Sequence, residues 1–306
     1  MKAVAIWLSG AGVSGGLPDG PSSLGRPSDT VVVNLGNTLR RSLAVSNVSH
    51  RFGVESFRPR GLPLDGTNTV TWVHTSVMTL CMRWPDETIL KLDEDVILCS
   101  EQDRWNVGAG QFLISNLTIN NFTTRWYLER HWPDLAERTA GNPLMWHFPY
   151  PESGEDARPD LLRAIYGTDP AALARSTESD ATPQARISGV DAYKEHGLVP
   201  SLSGEPDRYR GVSCAAMAFR ARDYASLFPN VSDVDELLIG TAARDGRLEY
   251  VVDYTIFGHH INYWSVREYL TRNQPLVRGY SQRVISLSDG DQPAAWTPPL
   301  FHVDAA

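Results

Sequence analysis

Lysine is nearly missing from this chain of 306 residues: only Lys2, Lys91 and Lys194 occur, and the other positive charges are arginines. A formal net charge of −8 and a pI near 5.5 leave no basic face of the kind nucleic-acid binders carry, so no nucleic-acid partner is expected. Cysteine is scarce too. Cys81, Cys99 and Cys214 are odd in number and form no C-x-x-C pair, which excludes a disulfide framework and points to buried apolar residues. No apolar run reaches the ~18–20 residues of a membrane span. Only about six apolar residues precede Ser9-Gly10, fewer than the ~7–15 of a signal-peptide core. These absences predict a cytoplasmic protein, and the arginine bias suggests a GC-rich, bacterial source.

What the chain does have is glycine and proline, 24 and 20 respectively. The first cluster, Leu8 to Gly16, follows the apolar run Ala3 to Trp7, and its glycines 10, 12 and 15 spell G-x-G-x-x-G. A dinucleotide site needs a helix directly after that motif, because the pyrophosphate sits on the helix N-terminus. Here Gly16-Leu17-Pro18-Asp19-Gly20-Pro21 follows, through which no helix starts. A strand running into a loop is the expectation, and a dinucleotide-dependent oxidoreductase becomes the weakest functional reading.

Hydrophobic periodicity organises the rest into one α/β domain with alternating elements. Strands are expected at residues 31–33, 88–99, 111–115, 212–219 and 250–256. Helices are expected at 36–47, 69–82, 159–166, 221–227 and 234–245. Residues 133–210, rich in Pro, Gly and acids, are too long for a plain loop and predict an acceptor-binding insertion or a lid. Residues 275–306, with four prolines, predict an irregular tail after a domain spanning 1–274.

Thr88-Ile-Leu-Lys-Leu-Asp-Glu-Asp-Val-Ile-Leu98 places three acids between two apolar runs. Carboxylates inside a buried strand are costly unless something positive meets them. They are tolerable at the carboxyl edge of a sheet, where α/β proteins bind ligands. Alternation sends Asp93 and Asp95 one way and Glu94 the other, giving a hard-oxygen pair suited to Mg²⁺ or Mn²⁺. A solvated turn between two short strands would use the same residues.

The segment "ETILKLDEDVIL" resembles the D-x-D element of GT-A fold glycosyltransferases. Three later elements resemble that family in the same order. They are the glycine-led Arg210-Gly211-Val212 to Arg220, the acidic Ser232-Asp233-Val234-Asp235-Glu236-Leu237, and the late histidine in Phe257-Gly258-His259-His260. The resemblance covers roughly residues 65–265. It implies a Rossmann-related, mixed but mainly parallel sheet flanked by helices. It also implies a hexosyltransferase-type enzyme that moves a sugar from a nucleoside-diphosphate sugar to a saccharide or small-molecule acceptor. Asp95, Asp93 and His260 (less so His259) would hold Mn²⁺ or Mg²⁺. Asp93, Asp95, Lys91 and Gly211 would face the nucleotide sugar. Asp233, Asp235 or Glu236 would supply the catalytic base, although Asp233 and Asp235 also suit a helix start as cap and first-turn acid. Trp146 and Tyr150 are candidates for an acceptor platform, because aromatic faces stack on sugar rings. A catalytically silent relative that binds nucleotide or sugar is the alternative.

Overall fold

Valines 31, 32 and 33 are β-branched and buried on both sides, the pattern of a strand inside a parallel sheet. The computed structural model describes residues 2–7, 30–35, 39–51, 53–62, 70–93, 96–98, 105–117, 127–138, 158–178, 184–195, 199–200, 209–210, 214–229, 235–260, 271–288 and 295–300. Its strands are β1 (Lys2–Trp7), β2 (Thr30–Asn34), β3 (Glu55–Phe57), β4 (Thr88–Asp93), β5 (Val96–Leu98), β6 (Gln111–Leu117), β7 (Gln184–Ile187), β8 (Val199–Pro200), β9 (Tyr209–Arg210), β10 (Ala216–Arg220) and β11 (Glu249–His260). Its helices are α1 (Leu39–Arg51), α2 (Val70–Arg83), α3 (Pro133–Arg138), α4 (Arg158–Tyr166), α5 (Pro170–Glu178), α6 (Val190–Glu195), α7 (Ala221–Leu227), α8 (Asp235–Arg244) and α9 (Gln274–Ser288). Among these residues no helix is long and apolar enough to cross a membrane.

Nine strands form one mixed sheet in the order β3-β2-β1-β4-β10-β6-β11-β5, with β7 also on β11. β1, β2, β3 and β4 are mutually parallel. β10 runs antiparallel between β4 and β6, so β6 and its parallel partner β11 share the direction of β4. One edge of the sheet therefore collects the carboxyl ends of β1, β2, β4, β6 and β11. β8 and β9 form a separate two-stranded ribbon.

Alternation divides the sheet residues between two apolar layers. Val33, Ile89, Phe112, Ile114, Met217, Phe219, Tyr250 and Val252 face α2, α7 and α8, meeting Val77, Leu80, Tyr224 and Ile239. Leu90, Leu92, Leu113, Ala216, Ala218 and Val251 face the other way, against Leu98, Trp105 and Ile256. A third cluster is helical. Leu128, Leu135, Leu161, Ile165, Tyr166, Leu173, Leu276, Tyr280 and Val284 gather around Phe257, in the last part of β11.

That third cluster corrects the expected irregular tail: residues 274–288 form α9. Pro275 is its second residue, where a missing N–H costs nothing. Leu276, Tyr280 and Val284, four apart, are all buried. The proline-rich region 133–210 likewise contributes α4 and α5 to this cluster, and β7 to the main sheet. The glycine pair at 108 and 110 forms the turn into β6, with Gly110 at φ +69° in open space. Gly10, Gly12 and Gly15 lie outside the described residues, after the expected strand β1. Cys81 and Cys214 are in no disulfide and are buried as expected, burial pushing the Cys81 thiol pKa up to about 12, and Cys99 lies outside the described residues.

Candidate functional site at the carboxyl edge

β4 is buried from Ile89 to Leu92 and ends on Asp93, so the strand delivers a carboxylate to the edge just where burial gives way. The Asp93 N–H donates to Ala215 O at 2.7 Å, which closes the ladder with the segment entering β10. Lys91, two residues earlier and on the same face, is 3% exposed. Its Nζ donates to Asp93 Oδ1 at 2.9 Å and to Cys214 O at 2.6 Å. The D-x-D strand and the segment following Gly211 are thus tied by one ammonium. Lys91, expected to face the nucleotide sugar, has its ammonium on Asp93 and the Cys214 carbonyl. Glu94, Asp95 and Gly211 lie outside the described residues.

The chain does not continue β4 beyond the acids. It resumes as β5, which pairs antiparallel with the end of β11, Val96 opposite His260, Ile97 opposite His259 and Leu98 opposite Gly258. The described partner of His260 on this strand is Val96, the first residue of β5.

A bulge between Asp253 and Phe257 lets β11 reach this position. Asp253 stabilises it, accepting from the Thr255 N–H at 2.8 Å, the Thr255 hydroxyl at 2.6 Å and Gln184 Nε2 at 2.9 Å. Beyond the bulge the two histidines diverge. His259 is fully buried in the third cluster, its ring 4.4 Å from Tyr280 and 5.4 Å from Tyr166. Burial, and secondarily the neighbouring His260, hold its pKa well below 6.5, so it is neutral. His260 alternates to the opposite face and keeps 9% exposure.

Asp235 and Glu236 open α8, which packs Ile239, Ala242 and Ala243 beneath the sheet and leads by a short turn into the start of β11. A helix returning to the start of a parallel strand begins at the carboxyl edge, and its N-terminal dipole favours ionised acids there. Asp233, Trp146 and Tyr150 lie outside the described residues. The described residues contain no group of three or more His, Cys, Asp or Glu placed to hold a metal. A cation site here requires Asp95, and the donor chemistry it would share with Asp93 and His260, oxygen plus imidazole, suits Mn²⁺ or Mg²⁺. Two polar groups escaped sequence reasoning. Ser115 Oγ and Trp105 Nε1 are buried without a hydrogen-bond partner among the described residues, and no sequence signal marks them.

No protein-family model, curated protein or solved structure matches the chain.

Proposed function

We propose that the chain is a metal-dependent glycosyltransferase of the GT-A type, moving a sugar from a nucleoside-diphosphate sugar to an acceptor hydroxyl. The observation that carries this reading is the register of β5 on β11. Val96, which follows the acidic run in sequence, pairs with His260, more than 160 residues later, and this supports a shared site for the two motifs. A mixed, mainly parallel sheet with the acids at its carboxyl edge is what the resemblance implies, and it is also where α/β proteins bind ligands.

In this reading Asp95 and His260 would hold the divalent cation, and Asp93 would contact the donor ribose. When bound, the cation supplies Lewis-acid stabilisation to the diphosphate leaving group. Asp235, or its neighbours Asp233 and Glu236, accepts the proton of the acceptor hydroxyl as it attacks the anomeric carbon.

Turnover tests the proposal, because a silent nucleotide-binding relative would also bind. Incubation with a panel of nucleoside-diphosphate sugars and Mn²⁺ is expected to release nucleoside diphosphate, by transfer or slow hydrolysis, from at least one donor. Metal-dependent binding without release from any donor would reduce the reading to a binding protein. Equal release in chelator would refute the metal's role.

A further inference from the structure

α9 carries a glycine in its interior, at residue 279. Glycine is the weakest helix former after proline, and what it offers in exchange is close approach. A Cβ at residue 279 would stand 2.8 Å from Pro299 Cγ, 3.3 Å from Pro299 Cδ and 3.7 Å from Trp296 Cη2. Packed carbons sit about 3.5–4.0 Å apart, so only a residue without a side chain lets the segment 295–300 lie this close to the helix.

That segment has a signature of its own. Pro298 and Pro299 fix their φ at about −65° and hold Thr297 and Pro298 extended, the conformation of a polyproline-II helix with three residues per turn. Residues 296 and 299 then share one face. Burial follows that period: Trp296 and Pro299 are half-buried, whereas Ala295, Thr297, Pro298 and Leu300 are exposed. Trp296 packs on the helical cluster, its ring 6.3 Å from that of Tyr280 at 89°, and its Nε1 donates to Gly167 O at 3.5 Å, just after α4. Tyr280 in turn lies 4.4 Å from His259, so the segment covers the ring that packs behind the carboxyl edge.

We propose that Gly279 and Tyr280 of α9, with the Gly167 carbonyl, form a recognition groove for polyproline-II segments, which the chain fills with its own residues 296–299. Aromatic-lined grooves take such segments because the ligand is already ordered and little entropy is lost. Six residues separate Ser288 from Ala295, a short tether that gives the strap an effective concentration on the order of mM and keeps the groove occupied in cis. This inference is independent of the glycosyltransferase reading.

A thermodynamic cycle on the full chain tests the contact. Gly279→Ala is expected to lower the melting temperature by about 2–4 °C, because the strap must lift off the added methyl. In a Pro299→Ala background, which lacks both ring carbons nearest residue 279, the same change is expected to raise it by about 2–4 °C, alanine being the better helix former. Equal shifts in the two backgrounds overturn the packing. A peptide tests the recognition. Pro-Ala-Ala-Trp-Thr-Pro-Pro-Leu, the sequence of residues 293–300, is titrated against the parent and against Trp296→Ala/Pro299→Ala, whose strap has lost both inward side chains. The variant is expected to bind it at least about tenfold tighter than the parent, and adding Gly279→Leu is expected to abolish that binding. Equal binding by parent and variant, binding that survives Gly279→Leu, or no binding to a folded variant overturns the groove. A parent dimer that dissolves in Trp296→Ala/Pro299→Ala would seat a second copy's strap there and overturn occupation in cis.

Discussion

His259 and His260 are joined by one peptide bond yet belong to two different regions. His259 is packed among the rings of Tyr166 and Tyr280, beside the helical cluster around Phe257. His260 stands opposite Val96 at the carboxyl edge, on the strand that follows the acidic run in sequence. The same side chain is a stabilising aromatic in one place and a candidate ligand in the other. Pleat direction, not residue type, makes the difference.

The sharpest test of this contrast is catalytic and concerns the third member of the edge. Asp235→Asn is expected to lower sugar transfer by roughly 10²–10⁴ while nucleotide binding survives, as loss of a general base requires. Asp233→Asn is expected to leave both activity and melting temperature nearly unchanged, Asn being an equal cap. The reverse pattern, read in steady-state kinetics, moves the base to Asp233.

The histidines themselves come next. His259→Ala opens a cavity among Tyr166, Tyr280 and Phe257 and is expected to cost about 2–4 kcal/mol in urea unfolding. His259→Phe refills most of that volume and is expected to cost less than about 1.5 kcal/mol. Neither is expected to alter the Mn²⁺ dependence of nucleotide binding. His260→Ala is expected to do the opposite, weakening metal-dependent nucleotide binding about tenfold, or ~1.4 kcal/mol, with a smaller effect on stability. If both alanines lower only stability, the edge site loses its imidazole.

A pH effect of smaller size follows from the same burial. His259 titrates near 6.5 when unfolded and well below that when folded, so below pH 6.5 the unfolded chain binds a proton that the folded chain refuses. Stability is therefore full above about pH 6.5 and falls as pH drops toward the folded value, by up to about 1.4 kcal/mol per pH unit from this group. His131, also lowered by burial, acts in the same direction. Unfolding of His259→Phe across pH 5–7 is expected to show a shallower slope, and an unchanged slope would refute neutral burial of His259.

The smallest expected effect lies at the opposite edge. Gly110 turns the chain into β6 at φ +69° with open space around it. Gly110→Ala is expected to cost about 1 kcal/mol from conformation alone and to leave nucleotide binding untouched.

Local chemistry made much of this legible in the sequence. The spacing of Val73, Val77 and Leu80 specified α2, and the acids in Thr88–Leu98 specified a strand that breaks between Asp93 and Val96. What the sequence hid was pairing. Periodicity says nothing of which strand β5 joins, and β5 joins β11 rather than a neighbour of β4. It also hid α9, because four prolines in residues 275–306 mask the helical spacing of Leu276, Tyr280 and Val284, although only Pro275 falls inside the helix. The position of Lys91 beside the acids is legible in the sequence, whereas its hydrogen bond to the Cys214 carbonyl, 123 residues distant, is not.

The central claim is that Asp95, the residue before Val96, would hold a divalent cation on which nucleoside-diphosphate binding depends. It is tested most directly by the melting temperature of the parent and of Asp95→Ala with nucleoside diphosphate, in Mn²⁺ and in chelator. Ligand at 100-fold its Kd stabilises by about 2.7 kcal/mol, a readily measured shift. The account predicts that shift for the parent in Mn²⁺, little or none in chelator, and none for Asp95→Ala, whose own melting temperature is equal to the parent's or slightly higher. An equal shift in chelator, or a full shift in Asp95→Ala, would contradict it.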